Sequence, residues 1–194
     1  MATFGTANTT NNDGRRSING TYILGGAFGA SGATLDSIAV FGDEDGGGFN
    51  KYRVAIYQGG TSDTNPAGAS LIWDSGEQTC PAGAAAWRTV TAASQALAAS
   101  TRTWFAIRTG DQFHPHYPVT GEFGDSTFNT YTWSQNNSAT SFESTVPAVS
   151  LDGSGPGIKW YATFTAASSG SLTVRKQLMD NLNRQAGPFG PKLF

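Results

Sequence analysis

The sequence predicts an all-β fold: a jelly-roll-like antiparallel β-sandwich with an N-terminal arm and a short C-terminal helix plus extended tail. Three observations lead there. From Thr21 to Gly110, short β-type segments are separated by clusters of Gly, Asn, Asp and Pro. Within Lys51–Tyr57, Tyr52, Val54 and Ile56 fall on one side and Lys51, Arg53 and Ala55 on the other, the period a half-buried strand requires. The stretch Gln58–Gly68, with Gly-Gly, Asn-Pro and Ala-Gly steps, is too long for a tight hairpin and suits a crossing between sheets.

Residues 1–17 read as an arm, because Asn8–Gly14 has no periodicity and little apolar content. Thr21–Phe28 is the first predicted strand, and Gly29–Gly32 a turn. Leu35–Phe41 follows, with Ile38 and Val40 on one face. Gly42–Gly48 is predicted as an acidic, glycine-rich loop. Tyr52–Tyr57 is the third strand, Ser70–Asp74 the fourth and Ala85–Thr91 the fifth. Thr101–Arg108 is the sixth and most apolar, through Trp104, Phe105, Ala106 and Ile107. Between Asp111 and Gly157 the pattern loosens, leaving Phe128–Trp133 and Ser141–Val146 as strand candidates. Ile158–Phe164 alternates again, with Ile158, Trp160, Ala162 and Phe164 opposite Lys159, Tyr161 and Thr163. Val174, Leu178 and Leu182 then recur every four residues, a helical stripe, and Gly187-Pro188 stops it. The last eight residues are too rich in Pro and Gly for regular structure, yet carry Phe189, Leu193 and Phe194. The division is therefore an arm over 1–17, a sandwich over 18–170, and a helix and tail over 171–194.

Composition narrows the class. A chain of 194 residues suits one domain with extensions. Its 38% hydrophobic content supports a core, while charged residues reach only 13%. A net charge of −2 provides no global attraction to nucleic acid or anionic membrane, although four of the cations cluster after Val174 (Arg175, Lys176, Arg184, Lys192). Cys80 is the single cysteine, so no intrachain disulfide can form. Met1–Gly20 is polar and lacks the apolar region of a secretory leader, and no apolar run approaches membrane-spanning length. Synthesis in a host cytoplasm is the expectation. The N-x-S/T triplets at Asn8, Asn19 and Asn136 are taken as chance in so Asn/Thr-rich a chain.

The block from Phe28 to Gly110 resembles jelly-roll modules of tailed-bacteriophage virion proteins and bacterial surface proteins, which are similar to carbohydrate-binding modules. The matching parts are Thr34–Val40, Tyr52–Tyr57, Ala69–Ser75, Trp87–Val90, and Leu97 leading into Trp104–Ile107. They cover under half of the chain and are mostly core positions. The resemblance implies a structural, adhesive or sugar-binding role without catalysis.

The residues offer few sites for chemistry. His114 and His116, two apart, would face the same way on an extended segment and could share a metal, with Asp111 nearby. Asp43, Glu44 and Asp45 precede three glycines and could hold a structural calcium, though their spacing is not that of an EF-hand. The carboxylates Asp74, Glu77, Asp111, Glu122 and Asp125 are scattered, and no nucleophile elbow, P-loop or dinucleotide fingerprint is present. No enzyme and no required cofactor are expected. Trp87, Trp104 and Trp160 lie on predicted strands and read as core, which leaves Tyr131 and Trp133 as the aromatic residues best placed to stack on a glycan. Leu178, Leu182, Phe189, Leu193 and Phe194 are the candidate partner-binding residues. The expected function is a capsid decoration or cement protein of a phage particle. It would be a homo-oligomer, trimers being the commonest arrangement at such sites, and would bind the major capsid protein through its arms. The alternative is a carbohydrate- or receptor-binding module of a phage tail or surface adhesin.

Overall fold

A computed structural model describes residues 2–5, 21–28, 33–44, 50–62, 65–99, 101–110, 113–116, 129–133, 141–154 and 158–165. These residues form strands β1 (Ala2–Gly5), β2 (Thr21–Phe28), β3 (Thr34–Glu44), β4 (Lys51–Gln58), β5 (Ser70–Asp74) and β6 (Gln78–Thr79). Six more follow: β7 (Gly83–Ala96), β8 (Arg102–Thr109), β9 (Phe113–Pro115), β10 (Asn129–Trp133), β11 (Ser150–Ser154) and β12 (Trp160–Thr165). The C-terminal helix and tail lie outside the described residues.

The strands make two antiparallel sheets. The smaller runs β1-β12-β3-β7, with β9 continuing along β3. The larger runs β11-β10-β2-β8-β4-β5, with β6 beside β4. The orders β1-β12-β3-β7 and β2-β8-β4-β5 are those of the two four-stranded sheets of a jelly roll. The hairpin β10–β11 extends the larger sheet at its β2 edge. The stretch read as an arm thus supplies the first strand: Ala2–Gly5 pairs with β12 in the register Ala2↔Phe164 to Gly5↔Tyr161.

The main core lies between the sheets. Leu35, Ile38, Val40, Val90, Trp160 and Ala162 come from the smaller sheet, and Val54, Ile56, Phe105 and Ile107 from the larger; all are buried. Trp160 stacks on Phe105 with centroids 4.3 Å apart and planes at 12°. This ring pair joins the two sheets at the centre of the sandwich. Tyr52 stacks likewise on Phe113, at 4.8 Å. Gly42 sits where β9 pairs with β3. A Cβ there would lie 2.7 Å from the His114 carbonyl oxygen and 2.8 Å from the Phe113 ring, so only glycine admits this close approach.

A second apolar cluster covers the far face of the larger sheet. Ile23, Ala55, Tyr57, Trp104 and Ala106 meet Ala69, Phe142 and Val146 there. The lid over them is the segment 141–149, predicted in part as a strand. It is instead an irregular run joined to β5 through one bridge, Ser70↔Thr145. Its backbone is tied down by Leu71 N–H to Ser144 O (2.9 Å) and Val146 N–H to Ala69 O (2.8 Å). The Tyr57 hydroxyl donates to Glu143 O at 2.8 Å. Burial pushes the Tyr57 phenol above its ordinary pKa, with Glu143 adding to the effect, so it stays a donor. Because this face is covered, β8 is buried on both sides, which explains its continuous apolar run.

Candidate functional site

The residues with chemistry to offer gather on the outer face of the smaller sheet. Strand alternation puts Ala39, Phe41 and Asp43 of β3 on that face, opposite Ile38, Val40 and Gly42. Phe41 pairs in register with Trp87 of β7, and Ala39 with Tyr161 of β12. The rings meet edge to face: Phe41 with Trp87 at 5.3 Å, and Trp87 with Tyr161 at 4.8 Å. Trp87 and Tyr161 are half-buried, so part of each ring faces solvent. Around them stand hydroxyls, including the Ser37–Thr163 pair, whose oxygens are 2.6 Å apart.

Beside the rings lies a buried polar group. His116 packs edge-on against Phe41, with centroids 5.3 Å apart. Its Nε2 is 3.4 Å from Asp43 Oδ1, and both side chains are almost wholly buried. Lys159, with no exposed surface, holds its Nζ 5.7 Å from the centre of the Phe41 ring. His114 faces Asp43 directly across the β3–β9 pair.

Asp43 and Glu44 are therefore not part of a solvated acidic loop, as the sequence suggested. Pairing with β9 extends β3 through Glu44. Consecutive strand residues point to opposite faces, so these two carboxylates cannot converge on one calcium ion. Glu44 turns inward, and its Oε2 has no hydrogen-bond partner among the described residues. The histidine segment is a short strand end, with His116 buried and His114 half-buried. Among the described residues, no group of three or more His, Cys, Asp or Glu side chains is placed to hold a metal ion. Asp45, the third acidic candidate, lies outside the described residues.

The other candidates separate. Asp74 pairs with Arg53 at 2.8 Å, and Glu77 with Lys51 at 3.4 Å. Asp111, Glu122 and Asp125 are outside the described residues. Cys80 is fully buried, and burial pushes its thiol up despite the neighbouring Arg88, the opposite of an activated nucleophile. Tyr131 and Trp133 lie on β10, paired in register with Ile23 and Thr21 of β2. Leu178, Leu182, Phe189, Leu193 and Phe194 lie outside the described residues.

Trp104 and Trp160 are buried as the sequence suggested. Trp87, expected in the core with them, stands on the outer face. Alternation alone cannot say which face of a strand is inside. The signal that could have found it is the Trp87-Arg88 step. One of the two must turn away from the core, and Arg88 donates Nη2 to the carbonyls of Pro81 and Ala84, both at 3.4 Å. The chain matches no protein-family model, no curated protein and no solved structure.

Proposed function

We propose that this chain is a non-enzymatic structural protein of a bacteriophage particle, a capsid decoration or cement protein that holds neighbouring subunits through its C-terminal segment. The observation that carries the reading is the position of Thr165. It ends β12, beside edge strand β1, with Phe164 opposite Ala2. The sequence that continues from this corner combines the Val174/Leu178/Leu182 stripe with a Pro/Gly-spaced tail holding Phe189, Leu193 and Phe194. A rigid jelly roll with an apolar tail continuing from the end of β12 suits a protein that adds buried area across a subunit boundary. The resemblance of Phe28–Gly110 to virion modules points the same way. The tail, rather than both ends, is the gripping element in this reading, since Ala2–Gly5 docks on its own sheet. Removing residues 187–194 is expected to abolish incorporation into particles while leaving the circular dichroism of the isolated protein unchanged. Undiminished incorporation of the truncated chain contradicts the assignment.

One observation favours the alternative, a carbohydrate-binding module. The half-exposed Trp87 and Tyr161 rings, rimmed by hydroxyls, offer a stacking surface for a sugar face. On this reading Trp87→Ala weakens glycan binding about tenfold or more, a loss of at least ~1.4 kcal/mol. A glycan array without a hit on the unaltered protein removes it.

A further inference from the structure

Strand β7 ends the smaller sheet, with β3 as its single described neighbour there. Its sequence from Gly83 to Ala96 contains one charge, Arg88, so it lacks the charged side chains that usually block an open edge. Register shifts opposite Leu35/Ser37 and Gly42/Glu44 bound a regular run, Ala86–Thr91. Ser94, near one of these shifts, has φ of 51°.

Hydrogen bonding elsewhere on β3 shows which groups of that run face outward. Phe41 N–H donates to Lys159 O, and Phe41 O accepts from His116 N–H, both at 3.0 Å. Both polar groups of Phe41 therefore turn toward β12 and β9, away from β7. In an antiparallel ladder the direction alternates residue by residue. Trp87, opposite Phe41, must then direct its N–H and C=O away from β3, and Thr89 and Thr91 do the same. Ala86, Arg88 and Val90 bond to β3. Among the described residues, Trp87, Thr89 and Thr91 thus form an open row of donors and acceptors whose side chains all stand on the outer face.

We infer that this edge pairs with the β7 edge of a second copy of the chain, antiparallel about a two-fold axis at Thr89. The self-complementary register is the reason for choosing a second copy. With the axis at Thr89, Thr89 faces Thr89 and Trp87 faces Thr91. Every open residue then faces an open residue, and each such pair exchanges two backbone hydrogen bonds. Arg88 faces Val90, so the one charge of the strand never opposes itself. Indole-to-threonine and threonine-to-threonine neighbours are favourable cross-strand pairs. The two-fold makes the contact isologous and closed, and the shifts at either end of Ala86–Thr91 limit its length. The pairing does not depend on particle membership.

The test is the mass of the full-length chain in solution. The unaltered protein is expected at twice its 20.3 kDa. Thr89→Pro removes an outward N–H without touching a bond to β3, so it should stay folded by circular dichroism and run as a monomer. Thr89→Lys and Thr89→Glu place like charges at the axis. Each should weaken the dimer about tenfold or more, and mixing the two should restore it. If the proline variant does not fold, the charge pair decides. A monomer at every concentration, or an oligomer (a trimer included) whose mass these variants leave unchanged, overturns the pairing.

Discussion

Trp160→Ala is expected to cost about 3–5 kcal/mol of stability, the largest effect of any single truncation proposed for this chain. Trp160 is 2% exposed and stacks on Phe105 across the space between the sheets. Its removal leaves a cavity where the smaller sheet rests on the larger, and neither can close it without giving up register. A domain of this size holds on the order of 5–15 kcal/mol in total, so the variant stands near the edge of folding. Urea denaturation checks this through the midpoint. Trp160→Phe keeps a ring against Phe105 and should lose much less. Equal losses from the two variants would mean that the stacked pair is not what joins the sheets.

Arg108→Ala is expected to detach the 141–149 lid at a cost of about 2–3 kcal/mol. Arg108, 4% exposed, gives Nη1 to Ser141 O at 2.8 Å and Nη2 to both Glu143 oxygens at 2.8 and 2.9 Å. Its guanidinium carbon also lies 5.4 Å from the centre of the Phe142 ring. Holding the Ser141 carbonyl with one terminal nitrogen and the Glu143 carboxylate with the other fixes orientation as well as position, which a lysine cannot reproduce. Limited proteolysis provides the local readout: cleavage within 141–149 should appear in the alanine variant and be intermediate for Arg108→Lys. A lid as resistant as that of the unaltered protein would contradict this anchoring role. Glu143 is 43% exposed, so Glu143→Gln should be the milder change.

Much of the sandwich was legible because its strands obey simple patterns. Tyr52, Val54 and Ile56 face the main core as their alternation implies. Ala55, placed on the solvent side by the same pattern, is buried together with Tyr57 because residues 141–149 cover them. That cover comes from far along the chain, and no local window records it. The Asp43–Glu44 strand end failed for a similar reason. Charges beside glycines signal a loop, and only pairing with Phe113–Pro115 overrides the signal. Lys159 alternates as a surface residue would, yet it lies wholly buried against Phe41. Ala2–Gly5 carries too little pattern to be read as a strand, and β12 supplies its partner. The candidate site was not legible: Asp43 and His116 read as parts of two separate metal candidates, and only the pairing of β9 with β3 brings them together. The rings of Trp87 and Tyr161 came to it through register between strands distant in sequence.

The central proposal, a particle protein that works through its C-terminal segment, is tested most directly by a cryo-electron-microscopy map of intact particles of the phage proposed to carry the chain. The expected result is this jelly roll on the particle surface, with Leu178, Leu182, Phe189, Leu193 and Phe194 against a neighbouring subunit. Particles that contain none of the chain, or that hold it with those residues facing solvent, would contradict it.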